Sequence, residues 1–65
     1  MVIINGNAVS FSKPTTIGAY LDENQYRRQR IAVEKNGEIV PRAAYDTTIL
    51  ADGDKIEIVS FVGGG

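Results

Sequence analysis

Two Asn-Gly pairs, Asn5-Gly6 and Asn36-Gly37, constrain the fold of this chain more than any other feature of its sequence. Both residues of such a pair tolerate positive φ, which a type I′ turn requires. Runs with strand-like composition flank each pair, at 1–5 and 8–12 for the first and at 31–35 and 38–40 for the second. The pattern predicts two β-hairpins, with Asn7 allowing a slightly longer first loop and with Val9 and Phe11 facing the core.

A short amphipathic helix is predicted after the first hairpin. Thr15 or Thr16 can cap its first turn by accepting a hydrogen bond from a free backbone amide. Gly18 weakens a helix by about 1 kcal/mol relative to alanine, so we expect it to allow close packing on the sheet. Three apolar side chains at positions i, i+3 and i+4 share one face of the helix: Ile17, Tyr20 and Leu21.

Three arginines, Arg27, Arg28 and Arg30, follow the predicted helix closely. One hypothesis makes them a docking patch for an acidic partner surface. We favour the interpretation that they form a solvated helix end, because cations are favoured near the last carbonyls of a helix. Further along the chain, 42–46 predicts a short turn of helix in which Tyr45 covers the core.

The last strand is predicted over 55–62, after a turn at 51–54 that contains Gly53. The aspartates of that turn lack the spacing and companion ligands of a calcium loop, so no metal site is predicted there. Alternation places Ile56 and Ile58 inward and leaves Val59 and Phe61 on the opposite face. Apolar residues exposed at a sheet surface commonly mark a partner interface.

Three glycines, Gly63, Gly64 and Gly65, end the sequence. They carry no side chain to bury and can enter a narrow channel. We therefore expect a domain over 1–62 and a flexible tail over 63–65. Taken alone, a glycine tail is more often only a frayed terminus.

Composition argues against catalysis by this chain alone. It has no histidine and no cysteine, so the commonest general base, the commonest metal ligand and a thiol nucleophile are all missing. The formal charge of −1 gives no reason to expect nucleic acid or an anionic membrane as a partner. The apolar run at the start is far too short for a signal peptide or a membrane span, and a cytoplasmic protein is the default expectation.

The order of elements predicts a mixed α+β domain of four to five strands with one helix packed across the sheet, the first and last strands being parallel neighbours in its centre. At this point the sequence resembles the ubiquitin-like, β-grasp sulfur carriers, most closely the family that serves thiamine thiazole synthesis. The resemblance covers essentially the whole chain. It rests on 1–6, Thr16-Ile17 with Leu21, 32–33, Asn36-Gly37, 39–42, 52–54 with 56–58, and Gly64-Gly65. Tyr45 stands where that family often has tryptophan, and Gly63 is a third glycine before the terminal Gly64-Gly65 pair.

The resemblance implies a carrier that is a protein cosubstrate and not an enzyme. Its carboxylate at Gly65 would be adenylated with ATP by an enzyme of the ubiquitin-activating-like family, and a persulfide donor would convert it to a thiocarboxylate. A thiazole synthase would then take the sulfur. Gly63 and Gly64 would thread the partner's active site, while Val59, Phe61 and Val62 would form the docking surface. The carrier itself would bind no cofactor or metal.

Three other functions stay open from the sequence. The small subunit of molybdopterin synthase has the same terminal chemistry, although that family usually has a longer chain. A ubiquitin-like modifier would join Gly65 to protein lysines. A plain interaction module would carry an idle tail.

Overall fold

The computed structural model describes residues 1–61. The predicted tail at 63–65 and the predicted interface residue Val62 lie outside the described residues. The helix is α1 (Ile17–Glu23), and the strands are β1 (Val2–Ile4), β2 (Asn7–Val9), β3 (Ile31–Lys35), β4 (Glu38–Val40) and β5 (Lys55–Ser60). Two 3₁₀ turns, Arg28–Arg30 and Arg42–Ala44, lie between these elements.

The five strands form one mixed sheet in the order β2-β1-β5-β3-β4. β1 and β5 are parallel, and every other neighbouring pair is antiparallel. This arrangement confirms the predicted parallel pairing of the first and last strands and the mixed α+β class. β5 has a neighbour on each side, so the strand nearest the C-terminus is the central one.

Both predicted hairpins are present with two-residue turns. Asn5 and Gly6 have φ of 48° and 83°, and Asn36 and Gly37 have φ of 52° and 87°, as the type I′ geometry requires. Ile4 pairs directly with Asn7, so Asn7 belongs to β2 and does not lengthen the loop. Tight turns of this kind fix the register of the strands that they join.

The core lies between α1 and one face of the sheet. Thr16 caps α1, its Oγ accepting a hydrogen bond from the Ala19 amide at 3.0 Å. Tyr45 is only 2% exposed, which confirms that it covers the core. The other buried apolar side chains are Val2, Ile4, Ile17, Leu21, Ile31, Val33, Val40, Leu50, Ile56 and Ile58.

The sequence-based placement of β2 was wrong at its C-terminal end. The strand stops at Val9 instead of reaching residue 12, and both Val9 and Phe11 are half-buried at the margin of the core. Phe11 packs edge-on against Tyr20 of α1, with ring centroids 5.9 Å apart. The alternation of apolar and polar residues therefore continues past the last residue that pairs with β1.

The end of the helix also differs from the prediction. α1 ends at Glu23, and Gln25 then has a positive φ of 64°, which turns the chain away from the helix axis. The three arginines consequently lie outside α1, and the interpretation that they form its solvated end was wrong. Among residues 1–61, no helix is long and apolar enough to cross a membrane.

Candidate functional site

The candidate site is the C-terminal half of β5, which leads directly to the glycine residues. Its faces alternate as predicted: Ile56 and Ile58 are buried, whereas Val59 and Phe61 are 53% and 52% exposed. Strand pairing ends at Ser60, two residues earlier than predicted. We call the exposed side of the sheet, which faces away from α1, the outer face.

The outer face combines apolar and charged side chains around the end of β5. Val59 lies opposite Ala32 of β3, and the Phe61 amide donates a hydrogen bond of 2.8 Å to the carbonyl of Arg30. Glu57 lies directly opposite Glu34, so two like charges face each other across the strands. Among the described residues, neither glutamate forms an ion pair.

Asn5 fixes the end of β5 through its side chain. Its Oδ1 accepts a hydrogen bond of 2.7 Å from the Ile58 amide, and its Nδ2 donates one of 3.2 Å to the Ile58 carbonyl. These bonds continue the β1–β5 ladder one step beyond the last residue of β1. Sequence reasoning missed this role, because the turn alone explained why asparagine precedes Gly6.

Asp54 joins the start of β5 to the second hairpin. Its carboxylate accepts hydrogen bonds from the Ala51 amide at 2.8 Å and from Asn36 Nδ2 at 3.1 Å, and Lys35 Nζ lies 3.8 Å away. Burial alone would raise the pKa of Asp54, but these donors and the lysine charge together lower it below the usual aspartate range. The turn at 51–54 is thus structural, and the residues from 1 to 61 hold no cluster suited to a metal ion.

Arg28 joins the end of α1 to the loop after the second 3₁₀ turn. Its guanidinium donates paired hydrogen bonds to Asp22 at 3.1 and 2.9 Å and to Asp46 at 3.0 and 2.9 Å. The bonds from Arg28 hold the pKa of Asp46 below its usual range. Arg28 therefore has an intramolecular role, while in the described part of the chain Arg27 and Arg30 form no ion pair.

Gly18 makes room for this ion pair. A Cβ on Gly18 would collide with Asp46 Oδ1 and lie 2.6 Å from Arg28 Nη2. The prediction that Gly18 packs on the sheet was wrong, because its open side faces the ion pair. The close approach is consistent with the hydrogen bond of 2.8 Å from the Gly18 amide to the Tyr45 carbonyl.

Comparison with known proteins gives matches over nearly the whole chain. The sulfur carrier protein ThiS of Bacillus subtilis is 42% identical over 66 residues, covering 100% of both chains. A thiazole synthase of Paramagnetospirillum magneticum is 45% identical over 98% of this chain, which spans only 20% of that protein. The crystal structure of the thiamine biosynthesis protein ThiS of Geobacter metallireducens superposes with a TM-score of 0.77 at 31% identity, covering 98% of this chain and 97% of that one.

The sequence profile of the ThiS family matches residues 2–65. That range includes every strand, the helix and all the residues of the candidate site. The five-strand mixed sheet with one helix matches the solved ThiS structure, which confirms the β-grasp fold that the sequence predicted. The chain belongs to the ThiS family.

Proposed function

We propose that this chain is a sulfur carrier for thiazole formation in thiamine biosynthesis, with the carboxylate of Gly65 as its reactive group. The observation that carries the proposal is the end-to-end match to the Bacillus subtilis sulfur carrier, which covers 100% of both chains. The β-grasp body, which the Geobacter metallireducens protein shares, gives further support. The carrier would act as a protein cosubstrate in the cytoplasm.

The chemistry explains why such a carrier needs an activating enzyme. An α-carboxyl group has a pKa of about 3.3–3.7 and is ionised at neutral pH, which makes it a poor electrophile. A carboxylate oxygen of Gly65 attacks the α-phosphate of ATP, releasing pyrophosphate and leaving an acyl-adenylate. A persulfide sulfur then displaces AMP, and cleavage of its S–S bond by a thiol leaves the thiocarboxylate.

The partners follow from these steps. An adenylating enzyme of the ubiquitin-activating-like family supplies ATP and the catalytic groups, a persulfide supplies sulfur, and a thiazole synthase accepts it. Two thiazole synthases contain a segment similar to this chain, which spans 20% and 19% of their lengths. Linking a carrier to the enzyme that consumes its cargo raises their effective concentration, so such relatives support a thiazole synthase as the partner.

We assign the docking surface to Val59 and Phe61, with Val62 beyond them. Both described side chains are about half exposed on the outer face, immediately before the residues that must enter a partner's active site. Burying an apolar side chain at an interface contributes roughly 25 cal/mol per Å². Gly63 and Gly64 then reach into the active site without side chains that could obstruct a narrow channel.

Intact mass spectrometry tests the function. After incubation with ATP, the adenylating enzyme and a persulfide donor, we expect one terminal oxygen to be replaced by sulfur, and a chain lacking Gly65 should stay unmodified. We also expect Gly64→Ala to slow adenylation, because the added methyl group obstructs the channel while the described domain is untouched. No mass change with any activating partner would refute the carrier function, whereas conjugates to protein lysines would favour a ubiquitin-like modifier.

The docking surface has a separate test. Phe61→Ser and Val59→Ser should raise the KM for the carrier in the adenylation assay and leave its thermal melting nearly unchanged. Ile49→Ser is the matched control, because Ile49 is 45% exposed and pairs with Thr16, away from β5. Equal KM values for all three variants would remove Val59 and Phe61 from the interface.

A further inference from the structure

The backbone of β5 presents its hydrogen-bonding groups alternately to its two neighbours. Those of Asp54, Ile56 and Ile58 face β1. The Asp54 and Ile56 carbonyls each accept an amide hydrogen bond of 2.9 Å, from Ile3 and Asn5, and the Asn5 side chain binds Ile58.

The intervening residues face β3 instead. The Lys55 carbonyl accepts a hydrogen bond of 2.8 Å from the Asn36 amide, and the Phe61 amide donates one to Arg30. By this alternation, the amide and carbonyl of Ser60 point to the same side as those of Ile58. Ser60 opposes Ile31 in the β3 register, at a position that exchanges no ladder bonds with that strand.

β1 has already turned away at this level. It ends at Ile4, and the Asn5-Gly6 turn carries the chain into β2. The alternation leaves the Ser60 amide and carbonyl without a ladder bond to β3, and within residues 1–61 they make no hydrogen bond outside the strand ladders. The side of β5 that begins after Ile58 is therefore an open strand edge, and Ser60 is its first residue.

The short length of chain between Ser60 and the reactive carboxylate places this open edge close to the partner that binds the carboxylate. In the proposed function, on which this inference rests, Gly65 carries the activated carboxylate four residues beyond Phe61. A fully extended chain spans at most about 3.3–3.6 Å per residue, so Gly65 reaches at most about 14 Å from Phe61. The protein that encloses the carboxylate must therefore contact the end of β5.

A contact that covers the open edge excludes water from it. A buried backbone donor or acceptor without a partner loses its hydrogen bonds to water and weakens the complex. The interface must therefore supply an acceptor for the Ser60 amide and a donor for its carbonyl. A peptide strand offers both groups at the right spacing.

We propose that an extended segment of the adenylating enzyme adds to the sheet at Ser60, on the side where β1 has ended. The added strand lies beyond Asn5 and covers the start of the tail. It holds the chain extended by main-chain hydrogen bonds, which make little demand on the side chain of residue 60. This contact is distinct from the docking of Val59 and Phe61, whose side chains project from the outer face of the sheet.

Amide hydrogen exchange on the unmodified carrier tests the proposal. In the free carrier, the Ser60 amide should exchange much faster than those of Ile58 and Phe61, which are bonded to Asn5 and Arg30. In the complex with the adenylating enzyme and ATP, Ser60 exchange should slow at least about tenfold, as expected for one new hydrogen bond. Unchanged Ser60 exchange in a complex that still adenylates Gly65 would overturn the added strand and leave the carrier function intact.

Proline substitution gives a second test. Ser60→Pro removes the amide hydrogen from the open edge and spares the bonds to β3, so the fold should persist, as proline is tolerated at strand edges. We expect kcat/KM for adenylation to fall about tenfold to hundredfold for Ser60→Pro. The kcat/KM of Ser60→Ala should be at least about tenfold higher than that of Ser60→Pro, because alanine keeps the amide hydrogen. Ser12→Pro, at an exposed position away from β5, is the control for introducing proline.

The possible outcomes distinguish a failure of the strand addition from a failure of the carrier function. Equal kcat/KM for Ser60→Pro and Ser60→Ala would overturn the strand addition. Absence of adenylation for the unmodified chain would refute the proposed function itself. If Ser60→Pro fails to fold, as judged by its thermal melting, the exchange measurement still decides the proposal.

Discussion

Removing the Asn5 side chain is the most direct test of how the last strand is held. Asn5 and Ile58 are 53 residues apart in the sequence, yet two hydrogen bonds join them. Glycine is the suitable replacement, because Asn5 has a φ of 48° and most other side chains would be strained there. Asn5→Gly thus removes the side-chain contacts and keeps the turn.

The size of the effect follows from the two bonds. An intramolecular hydrogen bond contributes about 0.5–1.5 kcal/mol net, and the bond of 3.2 Å belongs at the low end of that range. Glycine relieves the positive φ but raises the entropy of the unfolded chain, and these two effects largely cancel. We expect the free energy of unfolding to fall by about 1–2 kcal/mol, a sizeable part of the roughly 3–10 kcal/mol that is typical of a domain of this size.

Urea denaturation measures that change. With a slope of about 1 kcal/mol per M, the unfolding midpoint should fall by about 1–2 M at an unchanged slope. Hydrogen exchange should show faster exchange of the Ile58 amide under native conditions, because Oδ1 of Asn5 is its acceptor.

The control is Asn24→Ala, which removes one local hydrogen bond, from Asn24 Nδ2 to the Tyr20 carbonyl at 2.9 Å. It should lower the midpoint less and leave Ile58 exchange unaltered. An unchanged midpoint for Asn5→Gly, or an Ile58 amide that stays protected, would show that Asn5 contributes only to the turn.

Three further predictions concern stability. Glu57→Lys should stabilise the protein by about 0.2–1 kcal/mol in urea denaturation, because it replaces a like-charge pair with an attractive one opposite Glu34; a lower midpoint would contradict this. The pKa of Asp54 is lower in the folded state than in the unfolded state. The ionised carboxylate therefore stabilises the folded state above the unfolded pKa of about 3.9, and this stabilisation is lost as pH falls through the folded pKa. Asp54→Asn should therefore destabilise most at neutral pH and weaken the decline of stability with acid, and equal pH profiles would disprove the assignment. The change in the free energy of unfolding caused by Gly18→Ala should be more favourable in an Asp46→Ala background than in the unmodified protein, because the methyl group has more room there. The higher helix propensity of alanine then contributes up to about 1 kcal/mol. Equal effects in both backgrounds would refute the steric argument.

Local patterns in the sequence predicted the hairpins, the helix face and the faces of β5. Asn36-Gly37, for example, determines its turn through φ preferences that belong to the two residues themselves. The contacts of Arg28 could not be predicted in this way, because Asp46 lies 18 residues away and meets it only after α1 has ended and the chain has turned. The neighbouring arginines favoured a solvated helix end, yet the tertiary ion pair determines where Arg28 lies.

In the candidate site, the sequence likewise predicts the local property and not the tertiary one. It predicts the faces of β5 but not which of its backbone groups stay open. Alternation along 55–61 assigns each side chain of β5 to a face, and the exposure of Val59 and Phe61 agrees with it. Which backbone groups stay open depends instead on how far the neighbouring strands extend. Ile3 pairs with Lys55 and β1 ends one residue later, so the position of the Asn5-Gly6 turn determines that Ser60 is uncovered. β1 ends opposite Ile56, so a first hairpin longer by four residues in each strand would carry β1 to the level of Ser60 and cover the edge that we assign to the partner.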